Sequence, residues 1–291
     1  MRKFSRFVLV MSFAAGCVGV AAAAAQDQPL PTMKVLQITR EFVKPGKAGA
    51  THDKAESVFV EAMRKAKWPT YYIGLTSLSG KSRALFMTWY SSFDAWQKDG
   101  DAVQKNPALT ASLERAATAD GELLDSMDQG VFYFRDDMSL NTKKDLQDMR
   151  YLEALIFHVK PGKDKEWEQV VKMAKDGYAK AVPTSHWGMY QQMYGGDSGD
   201  YVLFVAHKSL DEIDKGFADG KQFEAAMGEE GMKKFNELYA SCVDVNQSQI
   251  FAVNPAMSYV NEQWIKADPD FWKPKTAVMS AKSTEEKKSK P

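Results

Sequence analysis

The feature that most constrains the fold of this chain is that it resembles itself. Val43-Lys44-Pro45-Gly46-Lys47 recurs as Val159-Lys160-Pro161-Gly162-Lys163, and Trp68-Pro69-Thr70 with Gly74 matches Val182-Pro183-Thr184 with Gly188. Further on, Ala84-Leu85-Phe86-Met87 matches Val202-Leu203-Phe204-Val205, and Ser92-Phe93-Asp94 matches Ser209-Leu210-Asp211. Val131-Phe132 followed by Met138-Ser139 matches Ile250-Phe251 followed by Met257-Ser258. Five collinear matches, at an offset that drifts only from 114 to 119 residues, point to duplication of one unit.

Each copy reads as the same series of elements. A strand (Val35 to Val43; Tyr151 to Val159) runs into the Lys-Pro-Gly turn, where proline and glycine end extended structure. A helix follows, with Ala55, Val58, Phe59 and Ala62 in copy one and Trp167, Val170, Val171, Ala174 and Tyr178 in copy two at helical spacing. The proline of Pro-Thr stops it. A hairpin comes next, Tyr71 to Leu78 with Arg83 to Tyr90, and His186 to Tyr194 with Tyr201 to His207. A short helix and a longer one lead to a last strand, Val131 to Arg135 or Gln249 to Asn254. The expectation is an α+β protein of two tandem ferredoxin-like β-α-β-β-α-β repeats, over residues 34–140 and 149–260. The strands are apolar on both sides, so helices on one face leave a second face that also needs cover. Two copies in one chain supply it if their sheets pack together with the helices outward.

On the repeat topology and the strand-end Val-Lys-Pro-Gly-Lys, the chain resembles the dimeric α+β barrel superfamily, including its antibiotic-biosynthesis monooxygenase-like and NIPSNAP-like families, over roughly residues 34–260. The resemblance implies that the two repeats form within one chain the barrel that others form as dimers. It also implies a choice of functions: cofactor-free oxygenation of aromatic substrates, haem-related chemistry, or small-ligand binding without catalysis. The matching turn is structural, so no functional residue is carried over with it.

Residues 1–25 begin with Arg2, Lys3 and Arg6, continue through an apolar run from Phe7 to Val20, and end in alanines before Gln26. They read as a signal peptide cleaved near Ala25, which predicts a bacterial periplasmic or secreted protein. Lipidation of Cys17, preceded by Ala15 and Gly16, is the competing reading. Removing the peptide leaves 35 basic residues against 38 acidic ones, with no basic stripe, which speaks against a nucleic-acid partner. Cys242 is then the only thiol, which excludes an intramolecular disulfide and any cysteine-based metal framework. No later stretch is apolar for the length a bilayer requires. Residues 261–291 hold Trp264, Phe271, Trp272 and two prolines before turning to Lys, Ser and Glu, as expected of a strap packed on the barrel and then a disordered tail.

Nucleotide-binding, zinc-protease and hydrolase signatures are absent. Gly195-Gly196-Asp197-Ser198-Gly199 reads as a hairpin loop, and calcium would need more carboxylates than Asp197 and Asp200 supply. The informative positions are those where the copies differ. Phe42, Tyr72 and Trp89 of copy one align with His158, His186 and His207 of copy two. If the repeat register holds, His186 faces His207 across the hairpin, and only a one-residue slip would part them. His186, Tyr190, Tyr194, Tyr201 and His207 then share the barrel face, with Glu153 beside His207, while Met189, Val202, Phe204 and Ala206 face the helices. This patch is expected either to be a satisfied polar layer or to bind a small apolar or aromatic molecule. A third reading takes His186, His207 and Glu153 as ligands of a divalent metal, and haem would ask for His186 or His207 as an axial ligand. His158 is expected on the helix side and His52 in solvent. Arg40 is expected to pair with a helix carboxylate or bind an anion, and Cys242 to be a small buried residue. The leading expectation is a small-molecule-binding barrel without a resident cofactor, as monomer or homodimer; the alternatives are an oxygenase-like enzyme assisted by metal or haem, or an assembly module.

Overall fold

The computed structural model describes residues 33–142 and 146–273. The expected signal peptide and the tail beyond residue 273 lie outside the described residues. Eight strands alternate with helices: β1 (Val35–Val43), α1 (Ala50–Ala66), β2 (Tyr72–Ser77), β3 (Arg83–Tyr90), α2 (Phe93–Gln104), α3 (Pro107–Gly121) and β4 (Leu124–Phe134), then β5 (Tyr151–Val159), α4 (Asp164–Ala181), β6 (Gly188–Tyr194), β7 (Asp200–His207), α5 (Asp211–Cys242) and β8 (Val243–Val253). Two short helices, α6 (Glu262–Ala267) and α7 (Pro269–Trp272), end the described chain. All strand pairs are antiparallel, and the strands close into a barrel in the order β1-β3-β2-β8-β5-β7-β6-β4.

Local chemistry sets the element ends. The Lys-Pro-Gly turns place Gly46 and Gly162 at φ 77°, a backbone region that glycine enters without steric cost. Ser92 caps α2 by accepting the Ala95 amide, and Asn106 caps α3 by accepting that of Leu109, just before Pro107 at the first helical position. In α5 the helix breaks at Gly228, whose φ of 66° and ψ of 173° are not helical. Among the described residues, no helix is long and apolar enough to cross a membrane.

Period-two alternation sorts each strand into an inner and an outer face. The barrel interior is filled by Leu36, Ile38, Leu75, Leu85, Met87, Phe132, Leu152, Ala154, Val202, Phe204 and Phe251. Trp264, Ile265, Phe271 and Trp272 of α6 and α7 pack against the same core, so the C-terminal segment stoppers one end of the barrel. Arg150 fastens it, ion-paired with Asp268 and lying 3.8 Å over the Phe271 ring. The outer faces pack under helices: Phe157, Val159, Met189 and Tyr201 meet Trp167, Val170 and Val171 of α4.

Two strand boundaries differ from the sequence expectation. β4 begins at Leu124 instead of Val131, and β8 at Val243 instead of Gln249. The added halves carry Asp125, Ser126, Asp128 and Gln129, and Asp244, Asn246, Gln247 and Ser248. They pair only with β1 and β5 respectively, so their exposure suppresses the apolar alternation that marks a strand.

Candidate functional site

The hairpin register decides where the expected site residues lie. In β6 and β7, Tyr190 is opposite Val202 and Met189 opposite Leu203, which sets His186 level with Ala206 and leaves His207 opposite Tyr151. This is the one-residue slip that parts His186 from His207. It also corrects the faces of β7: Val202, Phe204 and Ala206 look into the barrel, while Tyr201, Leu203 and His207 look outward. His158 moves the other way, to the inner face with Leu152 and Ile156.

The six expected ligand-binding residues therefore separate. Tyr190 lies inside the barrel, its hydroxyl accepting from Trp89 Nε1 at 3.2 Å and its ring 5.3 Å from Phe134, and burial pushes the phenol up to about 12. Tyr201 is buried on the outer face, 5.5 Å from Trp167. Tyr194 is exposed, edge-on to Phe93. His186 is hydrogen-bonded through Nε2 to the Ala206 carbonyl at 2.9 Å. His207 and Glu153 do meet, with 3.2 Å between Nε2 and Oε2, and Glu212 approaches the other ring nitrogen at 3.7 Å. Two of the three residues of the metal reading are thus together without the third. His207, on the outer face, and His186, tied to backbone, do not fit as axial ligands of a haem inside the barrel.

The inner face instead gathers polar groups at the end away from α6 and α7. Arg40 is ion-paired with Asp128 of β4, a strand carboxylate and not a helical one. Arg83, one strand away, bonds Gln249 and lies 5.2 Å over the Phe251 ring and 5.8 Å over that of Phe42. Its Nε is buried with no hydrogen-bond partner among the described residues. Burial, and next the Arg40 charge, lower its affinity for its proton. At the same end His158 Nδ1 meets Asp200 at 2.6 Å, which raises the imidazole's pKa.

A second cluster was not legible in the sequence. His52, expected in solvent, is 3% exposed. It shares the inner side of α1 with Glu56 one turn on, facing Glu41 on the outer side of β1 and Asp120 near the end of α3. Its Nε2 lies 3.2 Å from Glu41 Oε2 and 3.4 Å from Asp120 Oδ1. Burial, then Glu41 and Asp120, push Glu56 up to about 10.

No protein-family model matches the chain, and no curated protein does. Among solved structures, a monooxygenase candidate from Fusobacterium nucleatum is similar at TM-score 0.52 and 13% identity, over 76% of this chain and 92% of its own. A monooxygenase candidate from Lactobacillus acidophilus aligns at TM-score 0.48 and 8% identity, over 76% and 94% of the two chains. An anthrone oxidase-like protein aligns at TM-score 0.47 and 11% identity, over 79% and 95%. At 13% identity the likeness to the Fusobacterium nucleatum structure speaks for architecture alone. The closed eight-stranded barrel with its outer helices is thus a fold that this chain shares with the Fusobacterium nucleatum structure.

Proposed function

We propose that the protein binds a small aromatic or apolar molecule carrying an anionic group, at the polar end of its barrel. The supporting observation is Arg83: a guanidinium held between the rings of Phe42 and Phe251, with a buried, unpartnered Nε and a second guanidinium, Arg40, close enough to weaken its hold on its proton. Such a donor gains a charge-assisted hydrogen bond when a carboxylate enters, and the aromatic wall suits an apolar body. Tyr190, deeper in the barrel, is the member of the expected set that contributes to this interior. The test is calorimetric titration with a series of one- to three-ring aromatic carboxylates and their neutral amides. Acids should bind about tenfold or more tighter than amides, one charge-assisted bond being worth about 1.5–3 kcal/mol, and Arg83→Gln should erase the preference. Equal binding of acids and amides, or no binding by any acid, refutes the proposal.

We further infer that the barrel arose from two copies of one unit, so that a single chain supplies both halves. The support is the five sequence matches and the shared pairing of β1 with β3 and of β5 with β7, in which Val35 is opposite Tyr90 as Tyr151 is opposite His207. Export to the periplasm or medium, with cleavage near Ala25, completes the proposal. The N-terminal sequence of the natively expressed protein tests it.

A further inference from the structure

We propose that Glu41, His52, Glu56 and Asp120 hold one divalent first-row transition-metal ion, of the Mn²⁺, Fe²⁺ or Zn²⁺ kind, between the barrel wall and helices α1 and α3. One ligand atom from each of the four lies within 4.8 Å of all the others. An ion with bonds of about 2.1 Å sets its ligands about 3.4 Å apart in a tetrahedron and about 4.2 Å across an octahedron. Small side-chain shifts therefore close the set.

Charge and hydrogen bonding both point to a missing partner. The four residues are 2% to 7% exposed, and three of them are carboxylates. The charges acting on Glu56 and Asp120 are each other, Glu41 and His52, with no lysine or arginine among them. His52 is the set's one N–H donor, and its Nε2 serves Glu41 and Asp120 together. Among the described residues Glu56 Oε1 is buried with no hydrogen-bond partner, Asp120 Oδ1 has only the 3.4 Å approach of His52, and the buried hydroxyl of Tyr72 on β2, which feels the charges of Glu56 and Arg64, is unpartnered as well. A buried carboxylate oxygen left this way is costly unless something positive reaches it.

The other half of the molecule shows that the fold does not require these groups. Lys44 donates its amide to Leu123 O just as Lys160 donates its own to Cys242 O, so Asp120 and Tyr239, each three residues before the acceptor, occupy matching places. Phe157 stands on β5 where Glu41 stands on β1, and it contacts Trp167 of α4 at 5.1 Å as Glu41 contacts His52 of α1. Val171, one turn after Trp167, then answers Glu56. A largely aromatic set without a charged group fills the place, so the polar set is an alternative with a chemistry of its own. One imidazole among carboxylates, with no thiolate, suits Mn²⁺, Fe²⁺ or Zn²⁺ better than Mg²⁺ or Cu⁺. The competing account is that Glu56 and Asp120 share a proton and no metal binds.

The experiment uses the full chain stripped with EDTA and reloaded anaerobically with Zn²⁺, Mn²⁺ or Fe²⁺ alone. Uptake is followed by calorimetry and elemental analysis. One equivalent is expected, with affinity falling about 100-fold or more in Glu56→Gln and in Asp120→Asn. Circular dichroism checks that both variants fold. Pulsed EPR of the Mn²⁺-loaded native chain adds a readout that needs no variant: ¹⁴N coupling from a single imidazole. No stoichiometric uptake of any of the three ions, uptake that the variants leave unchanged, or Mn²⁺ without nitrogen coupling each overturns the proposal. Arg40 and Glu41 point to opposite sides of β1, so aromatic-acid binding should persist in both variants, which keeps this test separate from that of the barrel end.

Discussion

Under α4 and α5 the barrel wall is sealed by Phe157, Trp167, Val170, Val171, Tyr201 and Tyr239, while under α1 and α3 the matching layer carries Glu41, His52, Glu56 and Asp120. The first arrangement follows the ordinary rule that a sheet face under helices is apolar, gaining about 25 cal/mol per Å² removed from water. The second gives up that gain and adds the cost of removing carboxylates from water. The difference teaches that the architecture tolerates either filling, so the stability of each half rests on a different balance. Packing dominates in one, and the neutralisation of charge in the other.

The comparison can be broken most severely on the apolar side. Trp167→Ala, which opens a cavity beneath Phe157 and Tyr201, should cost about 3–5 kcal/mol, read as a fall in the midpoint of denaturant unfolding. Grafting the apolar filling onto the polar side, with Glu41→Phe, His52→Trp, Glu56→Val and Asp120→Tyr together, should leave stability unchanged or raise it by about 1–4 kcal/mol. Any metal uptake should be lost. A graft that unfolds would show that the two layers are not interchangeable. At the barrel end, Arg83→Met removes a buried unpartnered Nε together with the Gln249 hydrogen bond, two effects of opposite sign, and should change stability by less than about 1 kcal/mol, as measured by urea titration of the ligand-free protein.

The smallest expected effect is the share of the pH dependence that His158 adds to that of the buried Glu56. The pKa of His158 is raised in the folded state, first by the Asp200 hydrogen bond. Its stabilising contribution is therefore complete below the unfolded value of about 6.5 and fades as pH rises through the raised folded value. Asp200→Asn should flatten that slope in melting curves taken from pH 5 to pH 9.

Much of the fold was legible because several strands are marked at both ends: the stretches from Val35 to Val43, Arg83 to Tyr90 and Tyr151 to Val159 form as the sequence suggests. Faces were not legible, and the reason is specific. Aligning Ala84-Leu85-Phe86-Met87 with Val202-Leu203-Phe204-Val205 matches letters, yet Leu85 lies opposite Arg40 as Val202 lies opposite Ile156, one position away from the letter match. Both faces of β7 are covered, so no contrast of polar and apolar residues exposed the error. The Glu41 cluster was hidden for a different reason: its members come from three elements spread over 80 residues of chain. One signal was available. His52, Glu56 and Val60 recur every fourth residue and are the buried residues of α1, so one face of that helix carries two titratable groups in line with an apolar one.

The place of β8 in the ring has a consequence in time. It is the last of the described strands, yet it lies between β5 and β2 and joins the second half to the first. A growing chain therefore cannot close its barrel until residue 253 has been made, and the stopper of α6 and α7 follows still later. Until then β2 is a free edge, and β4 is one until β6 has been made, each able to pair with a neighbouring molecule. Closure across so long a stretch of sequence is slow. A chaperone that shields those edges during synthesis should raise the yield of folded protein, and a chain cut after Leu140 should emerge as a self-associating half.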